Sequence, residues 1–352
     1  MSEVDAEIRT IRSAVALHRP GFAQVAVRGP AAYEVVDAVS TRDLFVRTGQ
    51  ILHSLILAED GTVEADLYVC PEAGGLLLLA DGVEGGVLIE MLQRHAPAGE
   101  VTYEDRSATH SLVALEGPYA WEMATVIGGP ELVTLGYMQR SAVYSREGVT
   151  CFRIGTTGEY GYVLQVPLAL VEGLSAEVAA VGVRFDLREV SPTALERCAL
   201  ENGFYCPRHR GVRGLNPLEL QLQWRVTHDR VYRGSAALQE SRARDDWRRV
   251  AWVLGRLEDP APALGGAVRR GEREVGVLLA GHRSPILECF VGLALLDRGL
   301  AHPWIDGFFT ADGLELRTEA PPLLHNRSLF VDPRKHIYAA READAFPPLV
   351  PA

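Results

Sequence analysis

The sequence predicts an α+β fold: two similar α+β lobes followed by a C-terminal β-rich lobe. Three observations lead there. Residues 25–34 read VAVRGPAAYE and residues 113–122 read VALEGPYAWE, with six of ten positions identical. The same order of strands and helices follows each copy. Beyond residue 250 the chain changes to short apolar runs separated by glycine turns, the pattern of a mainly β domain.

Each copy opens as a strand, breaks at Gly-Pro and continues as a helix. Pro30 and Pro118 are expected in the first helical turn, where a missing N–H costs nothing. In the first copy, Ile51–Leu57 and Val63–Val69 form a hairpin about Glu59-Asp60-Gly61. The strand Leu76–Leu79 and the helix Val87–His95 follow. In the second copy, Ser141–Tyr144 and Val149–Ile154 turn about Arg146-Glu147-Gly148, then come the strand Gly161–Val166 and a helix over Leu168–Val181. The two halves are expected to face each other.

Ser191-Pro192 opens a further helix through Leu200, which Gly203 ends. Ala194, Cys198 and Glu201 share one face of it. Glu201 therefore sits on an apolar stripe near the C-terminus, where the helix dipole disfavours its charge. Residues 240–249 (ESRARDDWRR) are a charged connector. The boundary is accordingly placed between a region 1–243, holding both lobes, and a C-terminal domain 244–352. Val250–Leu254, Glu274–Leu279, Gly292–Leu295 and Leu314–Arg317 read as its strands, and Phe346–Ala352 as a loose tail.

Composition excludes several classes. The 352 residues carry 35 Lys+Arg and 46 Asp+Glu, a net charge of -11. Nucleic acid and anionic membrane both need a positive face, so neither is an expected partner. No apolar run reaches the roughly 18–20 residues that span a bilayer. The N-terminus, MSEVDAEIRT, has no apolar signal core. The five cysteines are scattered and never spaced C-x-x-C, so reduced thiols, a cytoplasmic location and no metal site are expected. Metalloprotease, nucleophile-elbow, P-loop and EF-hand patterns are all missing. No assembly signal stands out, and a monomer is the expectation.

Several stretches, in order, resemble the T-protein (aminomethyltransferase) of the glycine cleavage system and its folate-binding relatives. GQILHSLILAEDGTVEADLYV (49–69) is similar to that family's hairpin ending in an acidic Asp-Leu step. RIGTTGEYGYVLQVP (153–167) is similar to its R-x-G-Y-T-G-E-x-G-F segment. ALENGFYCPRHRGVRGLNPLELQLQWRV (199–226) is similar to its L-E-A-G…T-P-x-E-A-G-L-G-W segment. VYRGSAAL (231–238) and VGVLLAGHRSPIL (275–287) continue the series. The resemblance covers about residues 20–340. It implies three lobes around a central channel, one-carbon transfer to or from a small molecule, and tetrahydrofolate as cofactor. It also implies Asp66 as the catalytic carboxylate and Glu201 as the carboxylate on the pterin ring. Arg230 or Arg233, just after Trp224, takes the place of an arginine for the folate tail. Glu159 and Glu219 fall on further family carboxylates, and Tyr68 and Trp224 are expected beside the cofactor.

The departures from the family pattern are informative. His53, Cys70 and Thr156 stand where the family has tyrosines, and Asp81 where it has asparagine. Losing aromatic walls removes stacking area for a flat pterin, about 1 kcal/mol each. A role outside standard glycine cleavage is therefore expected. Hairpin alternation about Asp60-Gly61 puts His53, Leu55, Asp66 and Tyr68 on one face, with His53 opposite Tyr68 and diagonal to Asp66. A His–carboxylate pair there can move protons near neutral pH. A slip of one residue would part them. Two other functions stay open on the sequence: a folate-independent enzyme using His53 and Asp66, and a non-catalytic folate-binding factor.

Overall fold

A computed structural model of the chain describes residues 2–95, 101–143, 145–207, 209–244, 246–256 and 262–350, with only the backbone of Arg210. Tyr144 of the expected second-copy hairpin, Asp245 of the connector and residues 351–352 of the expected tail lie outside the described residues.

The two repeats form two sheets. The first sheet orders Leu52–Leu57, Val63–Glu72, Gly75–Asp81, Ala23–Arg28 and Thr102–Asp105. The second orders Arg140–Ala142, Thr150–Phe152, Gly161–Pro167, His110–Glu116 and Ala16–His18, with Arg188–Glu189 added parallel to the last of these. The match in order is complete, but the fifth strand of each sheet is exchanged. Ala16–His18 precedes the first repeat and pairs with His110–Glu116 of the second. Thr102–Asp105 precedes the second repeat and pairs with Ala23–Arg28 of the first.

The sheets pack face to face. Tyr68, Cys70, Leu77 and Leu79 of one meet Leu112, Ala114, Phe152 and Val163 of the other in a single buried cluster. The outer faces are covered by helices. Ala32–Asp37 and Gly85–Gln93 lie on the first sheet, Ala120–Gly128 and Leu168–Gly182 on the second. The resulting order is helix, sheet, sheet, helix, with apolar side chains alternating inward along each strand.

The Gly-Pro steps differ from the expectation. The helices begin at Ala32 and Ala120, two residues later than the prolines. Pro30 and Pro118 instead occupy the second position of a tight turn, closed by Ala32 N–H to Gly29 O and Ala120 N–H to Gly117 O, both 3.1 Å. The fixed φ of proline suits that place equally well. Gly29 and Gly117, at φ +122° and +138°, hold backbone conformations that side chains resist.

Past the helix Pro192–Asn202, capped by Ser191 and stopped by Gly203 in the left-handed region, the chain closes a six-stranded barrel. Its strands Arg248–Gly255, Arg273–Arg283 and Phe290–Asp297 cover three of the expected runs, and Glu315–Glu319 begins one residue after the start of the fourth; Ala267–Arg270 and Phe308–Thr310 complete the closure. Two further differences stand out. The N-terminus is a helix, Glu3–Ser13, which packs on Pro192–Asn202 through Ile8, Ile11, Ala194 and Leu195. The expected loose tail is docked: Leu349 O accepts from His325 N–H at 2.7 Å, and Phe346 packs against Arg327 and His336.

Candidate functional site

The hairpin builds the centre of the site. Its register pairs His53 with Tyr68 and Leu55 with Asp66, and the next strand puts Asp81 opposite Asp66. Two carboxylates directly opposed on a sheet repel. Counter-charge answers this at Asp66, which is 3% exposed. His53 Nε2 lies 2.6 Å from Asp66 Oδ1, and Arg225 Nη1 donates to the same oxygen at 2.8 Å. Arg225 comes from the short helical turn Gln223–Arg225, held by Thr41 Oγ1 donating to Arg225 O at 2.8 Å.

Burial opposes charge on Asp66, yet His53 and Arg225 outweigh it and hold the carboxyl below its usual range. Burial also pushes His53 down, assisted by Arg225 and Arg42 and resisted by Asp66. An ionised Asp66 beside a neutral His53 fixes the tautomer: Nε2–H donates to Asp66 and Nδ1 keeps a free lone pair. Nδ1 has no hydrogen-bond partner among the described residues.

The His53 ring stacks on Tyr68, centroids 4.3 Å apart and planes 13° from parallel. The stack separates two cavities. His53 and Arg225 line one of about 170 Å³, together with five aromatic side chains: Tyr137, Phe204, Tyr205, Trp224 and Trp252. Tyr68 lines the other, of about 220 Å³, with Phe22, His18, Asp81 and Glu116. Arg225 also supports Trp224, whose ring is 4.8 Å from its guanidinium carbon.

Comparison with known proteins identifies the family. A model of the GCVT N-terminal domain matches residues 1–230. The aminomethyltransferase of Mycobacterium tuberculosis (strain ATCC 25618 / H37Rv) is 31% identical over 289 residues, 77% of this chain and 74% of the relative. The chain belongs to the GCVT family. The aminomethyltransferase of Chlorobium chlorochromatii is 30% identical over 316 residues, 85% of this chain and 83% of its own. In fold, the chain is similar to glycine cleavage system aminomethyltransferase T from Bartonella henselae, with a TM-score of 0.78 at 22% identity, covering 91% and 89% of the two chains. Folate-dependent aminomethyl transfer is the chemistry of the GCVT family, and this member is an aminomethyltransferase-like transferase.

Several residues expected at the cofactor line neither cavity. Glu201 is fully buried and lines neither cavity. Arg12 Nη2 donates to it at 2.7 Å and Ser284 Oγ at 2.6 Å, with His282 Nε2 at 3.7 Å. Burial opposes its charge, but His282, Arg12 and Ser284 pull its carboxyl down to about 2. Its oxygens are thus taken by a brace joining the N-terminal helix, its own helix and the barrel. Glu159 is sealed in the same region. It accepts from the backbone N–H groups of Arg327 and Ser328 at 3.0 and 2.8 Å and faces Arg12 at 3.6 Å. Burial pushes its carboxyl up against the pull of Arg12.

Arg230 pairs with Asp37 and Asp43, and Arg233 with Glu59 and Glu64. Both fasten their loop to the first lobe, and neither lines the two cavities. Glu219 accepts from Asn216 N–H at 2.9 Å and shapes its own turn. Trp224, Tyr68, His53 and Asp66 are brought together. Sequence reasoning passed over Arg225, Tyr137, Tyr205 and Arg12. Of these, Arg225 and Tyr205 lie inside a segment already singled out, and Tyr137 and Arg12 carried no signal. Among the described residues no group of His, Cys, Asp and Glu is placed to hold a metal, and no helix is long and apolar enough to cross a membrane.

Proposed function

We propose that the protein is a tetrahydrofolate-dependent one-carbon transferase acting on a small molecule, outside glycine cleavage. The observation that carries this is the Asp66–His53–Arg225 cluster at the wall between two cavities. The residues of the aromatic cavity fit a flat, nitrogen-rich ring. Five aromatic side chains supply faces, and Gln221 and Arg225 supply polar groups. Arg225 Nε is a buried donor with no partner among the described residues, which costs about 1–3 kcal/mol. Each cavity is smaller than the roughly 300–1,000 Å³ of pockets that enclose whole ligands. Each suits one ring system or one small substrate.

Tetrahydrofolate, when bound, supplies the nitrogens that carry the one-carbon unit. The chain's own residues do the rest. Arg225 fixes the Asp66 carboxylate. Asp66 fixes the His53 tautomer. His53 Nδ1 accepts a proton in the aromatic cavity. General-base catalysis of this kind contributes about 10²–10⁴-fold. A histidine in place of the family tyrosine is what favours a substrate outside glycine cleavage. We further place the protein in the cytoplasm, as a monomer with no nucleic-acid or membrane partner; its five cysteines are free thiols, which suits a reducing compartment.

The test compares the parent protein with Asp66→Asn. Tetrahydrofolate should stimulate release of a one-carbon unit in the parent. The variant should lose turnover by at least 10²-fold while binding tetrahydrofolate within a few-fold of the parent. Neither binding nor stimulation in the parent would sink the reading. The lost tyrosines favour a second reading, folate-independent proton transfer at His53 and Asp66; turnover undiminished without folate would select it.

A further inference from the structure

Thr41 is fully buried and joins the two sides of the Asp66 cluster. It lies along the outer edge of the strand Leu52–Leu57. Its N–H donates to Leu55 O at 3.1 Å, and its Oγ1 accepts from Leu55 N–H at 3.1 Å. Leu55 is the residue opposite Asp66 in the hairpin. On the other side, Thr41 Oγ1 donates to Arg225 O at 2.8 Å, and Thr41 O accepts from Thr227 N–H at 2.8 Å. One residue thus ties the backbone beside the carboxylate to the backbone that carries its guanidinium partner.

The hydroxyl is used to capacity. It has one proton and two lone pairs. The proton goes to Arg225 O, and one lone pair takes Leu55 N–H. The contact with Ser54 Oγ at 3.1 Å fills the other, with Ser54 as donor. Threonine is restricted at χ1, so this hydroxyl is aimed rather than free to swing. Arg225 needs such an anchor, because its own side chain is long and flexible. A backbone shift of about 0.5 Å would stretch its 2.8 Å bond to Asp66 past good hydrogen-bond length.

We infer that Thr41 is a positioning residue of the site: its hydroxyl holds the Arg225 turn where the guanidinium reaches Asp66. The use of the Asp66–His53 pair in turnover rests on the function proposed above; the positioning itself does not. The charged groups that act on His53 are Asp66, Arg225 and Arg42. Arg42 has its own anchors, donating from its backbone N–H to Ser54 Oγ and from Nη1 to His53 O, both at 3.2 Å. Arg225 opposes a proton on His53. A guanidinium that has drifted away opposes it less, so loss of the Thr41 hydroxyl raises the pH at which His53 takes up its proton. A hydroxyl that served only the fold would leave that pH unchanged.

The experiment follows His53 by NMR in the full chain carrying isotope-labelled histidine, without folate, its signals assigned by their loss in His53→Gln. Arg225→Met should raise the His53 midpoint by about one pH unit. Thr41→Val keeps the side-chain shape and leaves Leu55 N–H and Arg225 O without their partner; it should give at least half that rise. Thr41→Ser should restore the parent midpoint. Thr41→Val added to Arg225→Met should move it no further, since the hydroxyl acts through the guanidinium. Thr41→Ala, which needs no room for a second methyl group, repeats the test should the valine variant fail to fold. An unmoved midpoint in a folded variant, or shifts that add in the double variant, overturns the inference. So does failure of both variants to fold while Thr41→Ser is native, which assigns the hydroxyl to the fold alone. Tetrahydrofolate titrated into the parent separates the two claims. Folate binding with an unmoved midpoint defeats this inference alone. A moved midpoint without folate binding defeats the proposed function and leaves the positioning standing.

Discussion

Replacing Arg12 by methionine tests the brace around Glu201. The substitution keeps length and apolar volume but removes the cation, leaving Glu201 and Glu159 buried with one partner fewer. Breaking a buried ion pair from one side costs about 3–5 kcal/mol. The size can also be reached from the carboxyl itself. Glu201 is held at about 2 against an ordinary 4.5, a preference for the ionised form of about 3 kcal/mol, shared by His282, Arg12 and Ser284. The folded value lies below the unfolded one. This stabilisation is therefore fully present above pH 4.5 and fades as pH falls toward 2. Arg12→Met should lower unfolding free energy by about 3–5 kcal/mol at pH 7. The loss should shrink near pH 4, where the abandoned carboxyls take up protons. Adding Glu201→Gln should recover at least half of it. Urea unfolding followed by tryptophan fluorescence measures all three. A single-variant cost under about 1 kcal/mol, or a double variant whose costs simply add, would refute the reasoning.

Three further outcomes follow from the same geometry. In His53→Gln, turnover should fall by about 10²–10⁴, and with it the acid limb of the pH–rate profile. Burial holds His53 below 6.5 against the pull of Asp66, so the parent should stay active down to pH 6.5 and decline only below it. A variant that keeps the limb would exclude His53 as its origin. Trp224→Leu should weaken tetrahydrofolate about tenfold through lost stacking, measured by fluorescence titration; unchanged affinity would remove the ring from the aromatic cavity. Gly75→Ala should lower stability by about 1–3 kcal/mol, because its Cβ would lie 2.0 Å from Val27 O in the neighbouring strand. A thermal melt within error of the parent would contradict that contact.

What could be read from the sequence was local. The His53–Asp66 pair is legible because a two-residue period and an Asp-Gly turn fix hairpin register over a dozen residues. The helix Pro192–Asn202 is legible for a similar reason, with Ser191 and Gly203 marking its ends. The prolines of the repeat misled because one fixed φ serves both a turn and a helix start. The N-terminal helix could have been found. Ser2 and Asp5 make a reciprocal cap at 3.2 and 2.9 Å, and Ile8 and Ile11 share its buried face. The barrel strands Ala267–Arg270 and Phe308–Thr310 are too short to carry a period. Arg12 meeting Glu201, or Arg225 meeting Asp66, joins residues 189 and 159 positions apart. No spacing rule reaches that far, and so the fate of Glu201 was not legible from its helix.

The traded fifth strands bear on how this molecule could be dissected. A fragment ending ahead of Thr102 would strip Ala23–Arg28 of its outer neighbour, and one starting after His18 would do the same to His110–Glu116. Either piece would present a bare ladder of amides and carbonyls, the kind of edge that recruits other chains into aggregates. Each half thus lends the other its seal.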